Sequence, residues 1–461
     1  MPADIPGPRG ALAARLLALA FLRNRLVPLQ ELAARYGDVA FFSIAGAPFA
    51  LLNHPDYVRD VLVTRHRAFH KGVGLERAQV LLGRGLLTSE DAQHHRQRRL
   101  LQPAFHRERI AGYASTMVKY AERCASRWQA GETRDMAHEM AMLTLAIAGR
   151  TLFDTDVEDR ADVIGAAVTQ ALGAFNIVLM PYGDRIAKWP IPPARRFRRA
   201  KARLDAIVYD MIAERRGAGQ ASGLDGVGRG LSAQPTGRDI LSLLIAARDE
   251  DDGGGMTDAE IRDEVMTLLL AGHETTANAL TWSWYLLSQH PGVRAKLESE
   301  VREVCSGSVP TLDDLPRLTY AHAVVSEALR LFPPAFLVAR RALEPYHVPN
   351  TDYVLPPRTV IFLSQYLLHK DTRFWDDPAT FRPERWYDVE PMRHRYAYFP
   401  FGAGPRICIG EQFAWMEAVL VLATIARRWR LDLIPGQRIE VNPTITLRSR
   451  YGMRMAVTGG S

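Results

Sequence analysis

The sequence predicts a mainly α-helical fold with a small β portion. Long stretches carry apolar residues at helical spacing and end at proline or after basic residues, whereas strand-like runs are few and short. The clearest helical stretches are Thr257–His290, Tyr320 to the Pro333–Pro334 pair, and Glu411–Trp429. The strand-like runs are Asp38–Gly46, Pro48–Asn53, Arg358–Gln365 and parts of the last 25 residues.

The longest predicted helix dominates the architecture. Thr257 and Glu260 form a capping box at its start, and Pro291 stops it after His290. Its length is on the order of 50 Å at 1.5 Å per residue, enough to cross a whole domain. Its centre is apolar except for the short polar island HETT, residues 273–276.

The rest of the chain predicts one large domain over residues 1–461. A glycine-rich segment, Gly217–Gly237, reads as a surface loop that joins helices, and a second loop ends at Gly255. Neither divides the chain into independent halves, and no internal repeat is visible. With 47% hydrophobic and 24% charged residues, the composition is that of an ordinary globular protein.

The N-terminal segment and the cysteine pattern indicate the cellular location of the protein. The apolar run Ala11–Leu22 is shorter than the roughly 20 residues of a bilayer span and contains Arg15, so we expect an amphipathic surface helix and no membrane span. It also lacks the features of a signal peptide. The three cysteines, Cys124, Cys305 and Cys408, have no C-x-x-C spacing, which excludes a disulfide framework or zinc site and favours a cytoplasmic protein.

The chain is basic, with a formal net charge of +7. Basic clusters occur at His94–Arg99, Arg195–Arg203 and Arg427–Arg430. Nucleic-acid binding, solvated helix faces and a docking surface for an acidic protein are three interpretations. We favour the solvated faces over nucleic acid, and therefore expect no nucleic-acid partner.

Cys408 stands in the segment FGAGPRICIG, residues 401–410, directly before a predicted helix. Helix-terminal amides and the helix dipole favour a thiolate there, and Gly404 and Gly410 allow a tight turn and a close approach to a flat ligand. An inert buried cysteine and a nucleophilic cysteine hydrolase are the alternatives. The hydrolase lacks a neighbouring histidine to act as base.

The polar island contains Glu274 and Thr275. A charged side chain in the middle of a buried helix is costly without a purpose, and Ala271 and Gly272 leave room beside the helix axis. The Thr275 hydroxyl can bond back to the Ala271 carbonyl and open the helix locally. A plain packing site with a solvated glutamate is the alternative.

The cysteine segment resembles the haem-binding loop of the cytochromes P-450, in the pattern Phe401-x-x-Gly404-x-Arg406-x-Cys408-x-Gly410. The resemblance implies haem b (heme b, iron protoporphyrin IX) between the long central helix and the cysteine-loop helix. Cys408 would be the axial iron ligand, Arg406 would pair with a propionate, and Phe401 and Gly402 would line the cofactor. A thiolate ligand donates electron density to iron and favours O–O cleavage.

The same resemblance assigns further residues. Thr275 would hydrogen-bond dioxygen at the haem, and Glu274 would relay protons through water. His94, Arg98 and Arg340 would bind propionates, with His95, Arg99 and Arg341 as neighbouring alternatives. Glu327 and Arg330, joined by Arg385, would form a buried structural set around the haem.

The implied function is a haem-thiolate monooxygenase that uses O2 and two externally supplied electrons to hydroxylate or epoxidise a small hydrophobic substrate. Fatty acids, terpenoids, steroids and polyketides are the candidate classes. About 50 residues follow Cys408 without a flavin or iron–sulfur module, so a separate ferredoxin or flavodoxin with its NAD(P)H-dependent reductase should supply electrons. We expect a monomer. A non-catalytic haem sensor is the first alternative and a thiol hydrolase the second.

Overall fold

The computed structural model describes residues 4–153, 189–221, 239–249, 253–387 and 394–459, with Ala167, Gln170, Gly183 and Ala187 as single residues between them. Helices dominate and the strands are short, as predicted. The helices are α1 (Ala11–Arg23), α2 (Leu26–Tyr36), α3 (Pro55–Arg59), α4 (Val73–Leu82), α5 (Asp91–Leu101), α6 (Arg107–Ala111), α7 (Ala114–Ser126), α8 (Met136–Phe153), α9 (Pro192–Ala221), α10 (Ile240–Ala246), α11 (Asp258–Gln289), α12 (Pro291–Cys305), α13 (Thr319–Leu331), α14 (Gln365–Leu368) and α15 (Glu411–Ala426).

The strands match the predicted runs and add several short ones. They are β1 (Val39–Ile44), β2 (Ala47–Leu52), β3 (Phe69–Lys71), β4 (Thr133–Asp135), β5 (Val338–Ala342), β6 (Tyr346–His347), β7 (Val354–Leu355), β8 (Val360–Leu363), β9 (Trp429–Leu433), β10 (Val441–Pro443), β11 (Leu447–Ser449) and β12 (Arg454–Gly459).

The predicted long helix is confirmed as α11, with its capping box. The amide of Thr257 donates to Glu260 Oε2 at 2.8 Å, and the amide of Glu260 donates to Thr257 Oγ1 at 3.2 Å. These two bonds satisfy amides that a helix start otherwise leaves without partners. Pro291 ends the helix and also begins α12, where a missing amide hydrogen is tolerated.

The glycine-rich segment begins later than its composition predicts. Helix α9 continues to Ala221, so residues 217–221 are helical rather than loop. Ion pairs hold the preceding turn, because Arg215 lies 2.6 Å from Asp239 and Arg216 lies 2.6 Å from Asp258. The remainder of the predicted loop, residues 222–237, lies outside the described residues.

The Cα positions group into two compact units, Met1–Val73 with Ala121–Met140 and Thr275–Ser461, and Gly74–Tyr120 with Ala141–Glu274. The expectation of a single domain over residues 1–461 concerns how these units are joined, and it stays a prediction. In the described part of the second unit the regular secondary structure consists of helices. Its helices α9 and α11 are tied by the Arg262 guanidinium, which binds both Asp205 and Asp263.

The first unit contains the sheets. Its largest sheet has the order β1-β2-β8-β5-β3, with β2 and β8 parallel and the other neighbours antiparallel. Helices α1 and α2 cover one side, where Phe21, Leu29 and Leu32 pack with Phe42 and Leu51. The sheet therefore joins strands that lie about 300 residues apart in the sequence, and it places β3 beside β5.

A buried ion network organises the segment before the cysteine loop. Glu327 and Arg330 on α13 have no exposed side-chain surface, and Arg330 binds Glu327 bidentately at 2.8 and 2.9 Å. Arg385 donates to the same carboxylate at 2.9 Å, as does the Trp386 indole at 3.1 Å. The predicted set of three residues is thus buried and assembled. A buried pair that loses one partner costs about 3–5 kcal/mol, so this network strongly favours one arrangement of the chain.

The basic clusters are partly neutralised. Arg99 lies 2.9 Å from Asp249, and Arg427 lies 2.9 Å from Glu122. Lys201, in the cluster on α9, pairs with a carboxylate one turn later on the same helix. These pairs agree with solvated helix faces and reduce the positive charge that a nucleic acid would require.

Candidate active site

Two glycines shape the loop that carries Cys408. Gly402 and Gly404 have φ angles of +76° and +70°, a region that residues with a Cβ rarely adopt. A Cβ on Gly404 would lie 2.0 Å from the carbonyl oxygen of Leu62, so the loop sits against the turn Asp60–Thr64 as only glycine allows. On Gly402 a Cβ would meet nothing within 4 Å, so the loop is open on that side.

The Cys408 side chain is exposed and stands just before α15. The Cys408 amide donates to the Phe401 carbonyl at 3.0 Å, which closes the loop, and Gly410 caps the helix. Cys305, by contrast, is buried, and burial raises the pKa of its thiol. The exposed position beside a helix N-terminus argues against an inert packed cysteine and favours a thiolate ligand.

A buried histidine supports this loop from the protein interior. His369 Nε2 accepts a hydrogen bond from the Phe399 amide at 3.0 Å, and the Phe399 carbonyl accepts from the Gly402 amide at 2.9 Å. Burial, with the nearby Arg330 charge, lowers the pKa of His369 to about 3. The ring is therefore neutral at physiological pH, and Nε2 remains an acceptor for the loop.

Three cations converge on strand β3. Lys71 pairs directly with Arg340 of β5, and both are buried, with 4% and 8% of their surface exposed. Arg406 donates to the carbonyl of Phe69 at 2.8 Å. Directly paired residues lie on the same face of a sheet, so Lys71 and Arg340 share one face. Buried cations that lie together require an anion nearby, and a ligand with carboxylates would supply it.

The pairing of β3 with β5 places Arg340 and its neighbour Arg341 on opposite faces of the sheet. Arg341 pairs with His70, on the opposite face of β5, and is less buried than Arg340. The structure thus brings two predicted residues, Arg340 and Arg406, to one strand. It adds Lys71, which sequence reasoning missed because its position depends on a strand pairing between distant segments.

The other predicted propionate ligands lie on α5, in the second unit. His94 is buried, and its Nδ1 lies 3.1 Å from the Leu86 carbonyl oxygen, whereas His95 is exposed. Arg98 is half-buried one turn later, whereas Arg99 is more exposed and pairs with Asp249. These differences favour His94 and Arg98 over the neighbouring register. Their contact with haem stays a prediction.

The polar island lies in the middle of α11. Ala271 is exposed and Glu274 and Thr275 are half-buried, although the flanking turns of the helix are buried. The His273 carbonyl accepts a hydrogen bond from Thr144 Oγ1 at 2.9 Å. Free space therefore exists beside the helix at this point, as a small molecule would require. The roles of Glu274 and Thr275 in proton delivery stay predictions.

Glu417 is a further ionisable residue near this point that sequence reasoning missed. It lies on α15, is 1% exposed, and faces Thr276, which follows Thr275 on α11. Burial raises the pKa of Glu417 to about 8, against a smaller opposing effect of the Thr276 hydroxyl. The group is mostly protonated at pH 7. In the sequence, the feature that points to such a residue is a single charged side chain within a run of apolar residues.

These residues fit a haem. The donor set combines an exposed thiol on a glycine loop with open space beside Gly402, and a group of buried cations that suits two propionates. A family model described as Cytochrome P450 matches residues 6–450. The chain belongs to the cytochrome P450 family.

Curated relatives of this P450 extend over almost its full length. Cyclooctatin synthase of Streptomyces melanosporofaciens is 42% identical, with 91% of this chain and 89% of the relative covered. Cyclooctat-9-en-7-ol 5-monooxygenase of the same organism is 36% identical, with 89% and 86% covered. Pentalenene oxygenase of Streptomyces avermitilis is 35% identical, with 95% and 93% covered.

The predicted fold class and chemistry are confirmed at the level of the family. This P450 is a haem-thiolate monooxygenase that binds haem b and uses O2 and two externally supplied electrons on a hydrophobic organic substrate. Its electrons come from separate redox partners. None of the helices in the described ranges is long and apolar enough to cross a bilayer.

We expect Arg340 and Arg341 to differ in haem binding. Arg340→Ala should release haem several-fold faster, because it removes a buried cation on the Lys71 side of the sheet. Arg341→Ala is the matched control and should hold haem like the parent protein. The rate of haem transfer to an excess of apomyoglobin measures the difference. Equal rates in the two variants would contradict the assignment.

Glu417 should make the stability of this P450 depend on pH. The folded protein keeps the carboxyl protonated up to about pH 8, whereas the unfolded chain ionises it near its ordinary pKa of 4.5. Stability from this group therefore falls as pH rises through that window, by about 1.4 kcal/mol per pH unit. Glu417→Gln should remove this fall, as measured by urea unfolding between pH 5 and 8. The exposed Glu303→Gln variant is the control. If the unfolding free energy of Glu417→Gln falls with pH as steeply as that of the control, the prediction is wrong.

Proposed function

We propose that this P450 oxidises a terpenoid. Support comes from the relatives named as cyclooctatin synthase, cyclooctat-9-en-7-ol 5-monooxygenase and pentalenene oxygenase, which match it over at least 86% of both lengths. The names describe oxidation or synthesis of terpenoid compounds. Fatty acids, steroids and polyketides are the alternatives that the test below distinguishes.

The resemblance to the family also assigns the walls of the substrate pocket by position, and three of these stretches are rich in apolar residues. In the first unit they are Ala335–Val338 and Thr444–Leu447, and in the second unit Met266–Ala271. The Thr444–Leu447 stretch is anchored to α11, because Asn278 donates to Thr446 Oγ1 at 3.2 Å and Trp282 donates to the Leu447 carbonyl at 2.9 Å. Such walls hold a hydrocarbon by excluding water.

The same resemblance assigns two further segments to the pocket walls, Gly72–Thr88 and Leu172–Trp189. Between Gly72 and Thr88, helix α4 buries Ala78, Leu81 and Leu82. These side chains pack in the interior, so this segment is at least partly core. The segment Leu172–Trp189 lies outside the described residues apart from Gly183, Ala187 and Trp189.

In this proposal the residues of the cysteine loop and a set of cations hold the cofactor. When bound, haem supplies the oxidising chemistry on O2, and thiolate ligation favours O–O cleavage. Cys408 provides the thiolate, and Phe401 and Gly402 line the same loop. Arg340 and Arg406, with His94 and Arg98, bind the propionates and neutralise their charge. The chain's contribution is to orient the cofactor and the substrate and to keep water away.

Glu274 and Thr275 manage protons in this proposal. Thr275 is half-buried at the centre of α11, and its hydroxyl can donate a hydrogen bond to a small molecule bound there. Glu274, the preceding residue, holds or releases a proton at its carboxylate, and water can connect it to the site. A haem sensor would need no such pair, which favours catalysis over sensing.

The electron donors proposed are a ferredoxin or flavodoxin with an NAD(P)H-dependent reductase, acting on a cytoplasmic monomer. We expect an acidic partner to dock near Cys408 through basic residues such as Arg98, Arg99, Arg427 and Arg428. Of these, Arg99 and Arg427 already pair with carboxylates, whereas Arg428 is exposed and projects near the Trp429 ring. Arg428 is therefore the strongest candidate contact, and its effect should weaken as salt rises.

A spectral titration tests the substrate class. The ferric holoenzyme is titrated with a sesquiterpene and a diterpene, each as hydrocarbon and as alcohol, and with a fatty acid, a steroid and a macrolactone of similar size. We expect the terpenoids to shift the haem absorption at the lowest concentrations, because the pocket walls are apolar. Tighter binding by any other class would replace the terpenoid proposal with that class.

Replacing Thr275 tests the proton role. Thr275→Ala should divert reducing equivalents to hydrogen peroxide while product falls, because the hydroxyl that delivers a proton is lost. Thr275→Ser keeps the hydroxyl and should restore much of the coupling. Thr281→Ala is the control, since the Thr281 hydroxyl donates to the Ala277 carbonyl of its own helix at 2.7 Å. Product and peroxide formed per reduced cofactor consumed are the readouts, and unchanged coupling in Thr275→Ala would remove it from the proton path.

A further inference from the structure

Helix α1 presents a row of leucines to solvent. Leu12, Leu16, Leu19 and Leu22 are 73%, 59%, 52% and 59% exposed, and the helix buries no residue fully. At 100° per residue these four side chains occupy an arc of about 120° on one side of the helix. Single exposed leucines are common, but four on one side of a helix form an apolar surface of the kind that marks an interaction site.

The opposite face of α1 is already packed. Phe21 stacks on Phe42 with ring centroids 5.9 Å apart and lies 6.1 Å from Phe362. Leu17 packs against the same buried cluster. The helix is therefore held in place by its inner face, and its outer leucines are not a core surface that a small rotation would bury.

The charges around the patch are positive. Arg15 and Arg23 lie on the same outer arc as the leucines and are exposed. Among residues 4–30 the acidic side chain is Asp4, and the basic ones are Arg9, Arg15, Arg23 and Arg25. In the described part of the chain no carboxylate lies within ion-pair distance of Arg15 or Arg23. Leucines flanked by arginines whose long stems can reach outwards suit the interface between acyl chains and anionic head groups.

A second copy of this chain is the less suitable occupant. The helix is 13 residues long, so its face is about 20 Å by 10 Å, or roughly 200 Å². A standard protein interface buries roughly 800 Å² on each partner. Two like-charged arginines on the patch would also face each other in a symmetric dimer. Binding to a membrane surface requires no such minimum contact area. Acyl chains bury the apolar side chains, and anionic head groups attract the basic ones.

We propose that α1 binds the surface of an anionic lipid membrane, lying flat with its leucine face among the acyl chains. The contact is peripheral and does not require a spanning helix. It would place the enzyme where hydrophobic substrates concentrate. Only this consequence rests on the proposed function.

Vesicle flotation of the full-length holoenzyme tests the proposal. Vesicles of phosphatidylethanolamine with 30% phosphatidylglycerol are compared with pure phosphatidylcholine vesicles. The parent protein should float with the anionic vesicles, and the double variant Leu16→Glu with Leu19→Glu should bind at least tenfold more weakly. Arg15→Gln and Arg23→Gln should each weaken binding to anionic vesicles roughly fivefold and change binding to neutral vesicles little.

Matched controls separate the helix from general surface hydrophobicity. Leu312→Glu and Leu343→Glu make the same change at exposed leucines elsewhere, which are 37% and 45% exposed, and should bind vesicles like the parent. Absence of flotation by the parent, or equal flotation of the double variant, would overturn the proposal. Self-association that the double variant abolishes, without vesicle binding, would assign the patch to a second copy of the chain. The absorption of the reduced protein under carbon monoxide confirms that each variant retains its haem environment.

Discussion

The buried carboxylate of Glu327 is the constraint on which the catalytic loop depends. Arg330 and Arg385 neutralise it, and Arg330 also donates to the carbonyls of His369 and Pro378 at 2.9 and 2.7 Å. The Arg330 charge helps keep His369 neutral, so that its ring can accept the Phe399 amide just before the cysteine loop. A continuous path of hydrogen bonds thus runs from an ion pair on α13 to the loop that carries Cys408. Each buried charge on this path is compensated, as burial requires.

Two other groups of buried polar residues follow different electrostatic rules. Around β3 the cations Lys71, Arg340 and Arg406 lie together, and a ligand that carries carboxylates would stabilise them. At Glu417 burial is the main effect on the pKa, and the carboxyl stays protonated. A cluster of buried cations thus favours an anion beside it, whereas a single buried carboxyl favours a proton.

Local signals in the sequence predicted local structure well. The capping box at Thr257, the stop at Pro291 and the glycine turn around Cys408 each depend on residues within a few positions of one another, so they can be read without the fold. The predictions that needed correction or completion depend on distant segments. Arg215 and Arg216, directly before the segment predicted as a loop, pair with Asp239 and Asp258. The pKa of Glu417 is raised by burial, which depends on the packing of the fold.

The sequence by itself determined the family, the chemistry of the cysteine loop and the order of the main helices, because those features rest on short motifs and on apolar periodicity. Tertiary structure decided which of two adjacent arginines lies on the same face of the sheet as Lys71. Successive residues of a strand point to opposite faces, so the pairing of β5 with β3 distinguishes Arg340 from Arg341. Packing of Phe21 against the sheet likewise decided that the leucines of α1 face outwards. Periodicity reveals that a helix has two faces, but only the packing against distant segments shows which face remains in contact with solvent.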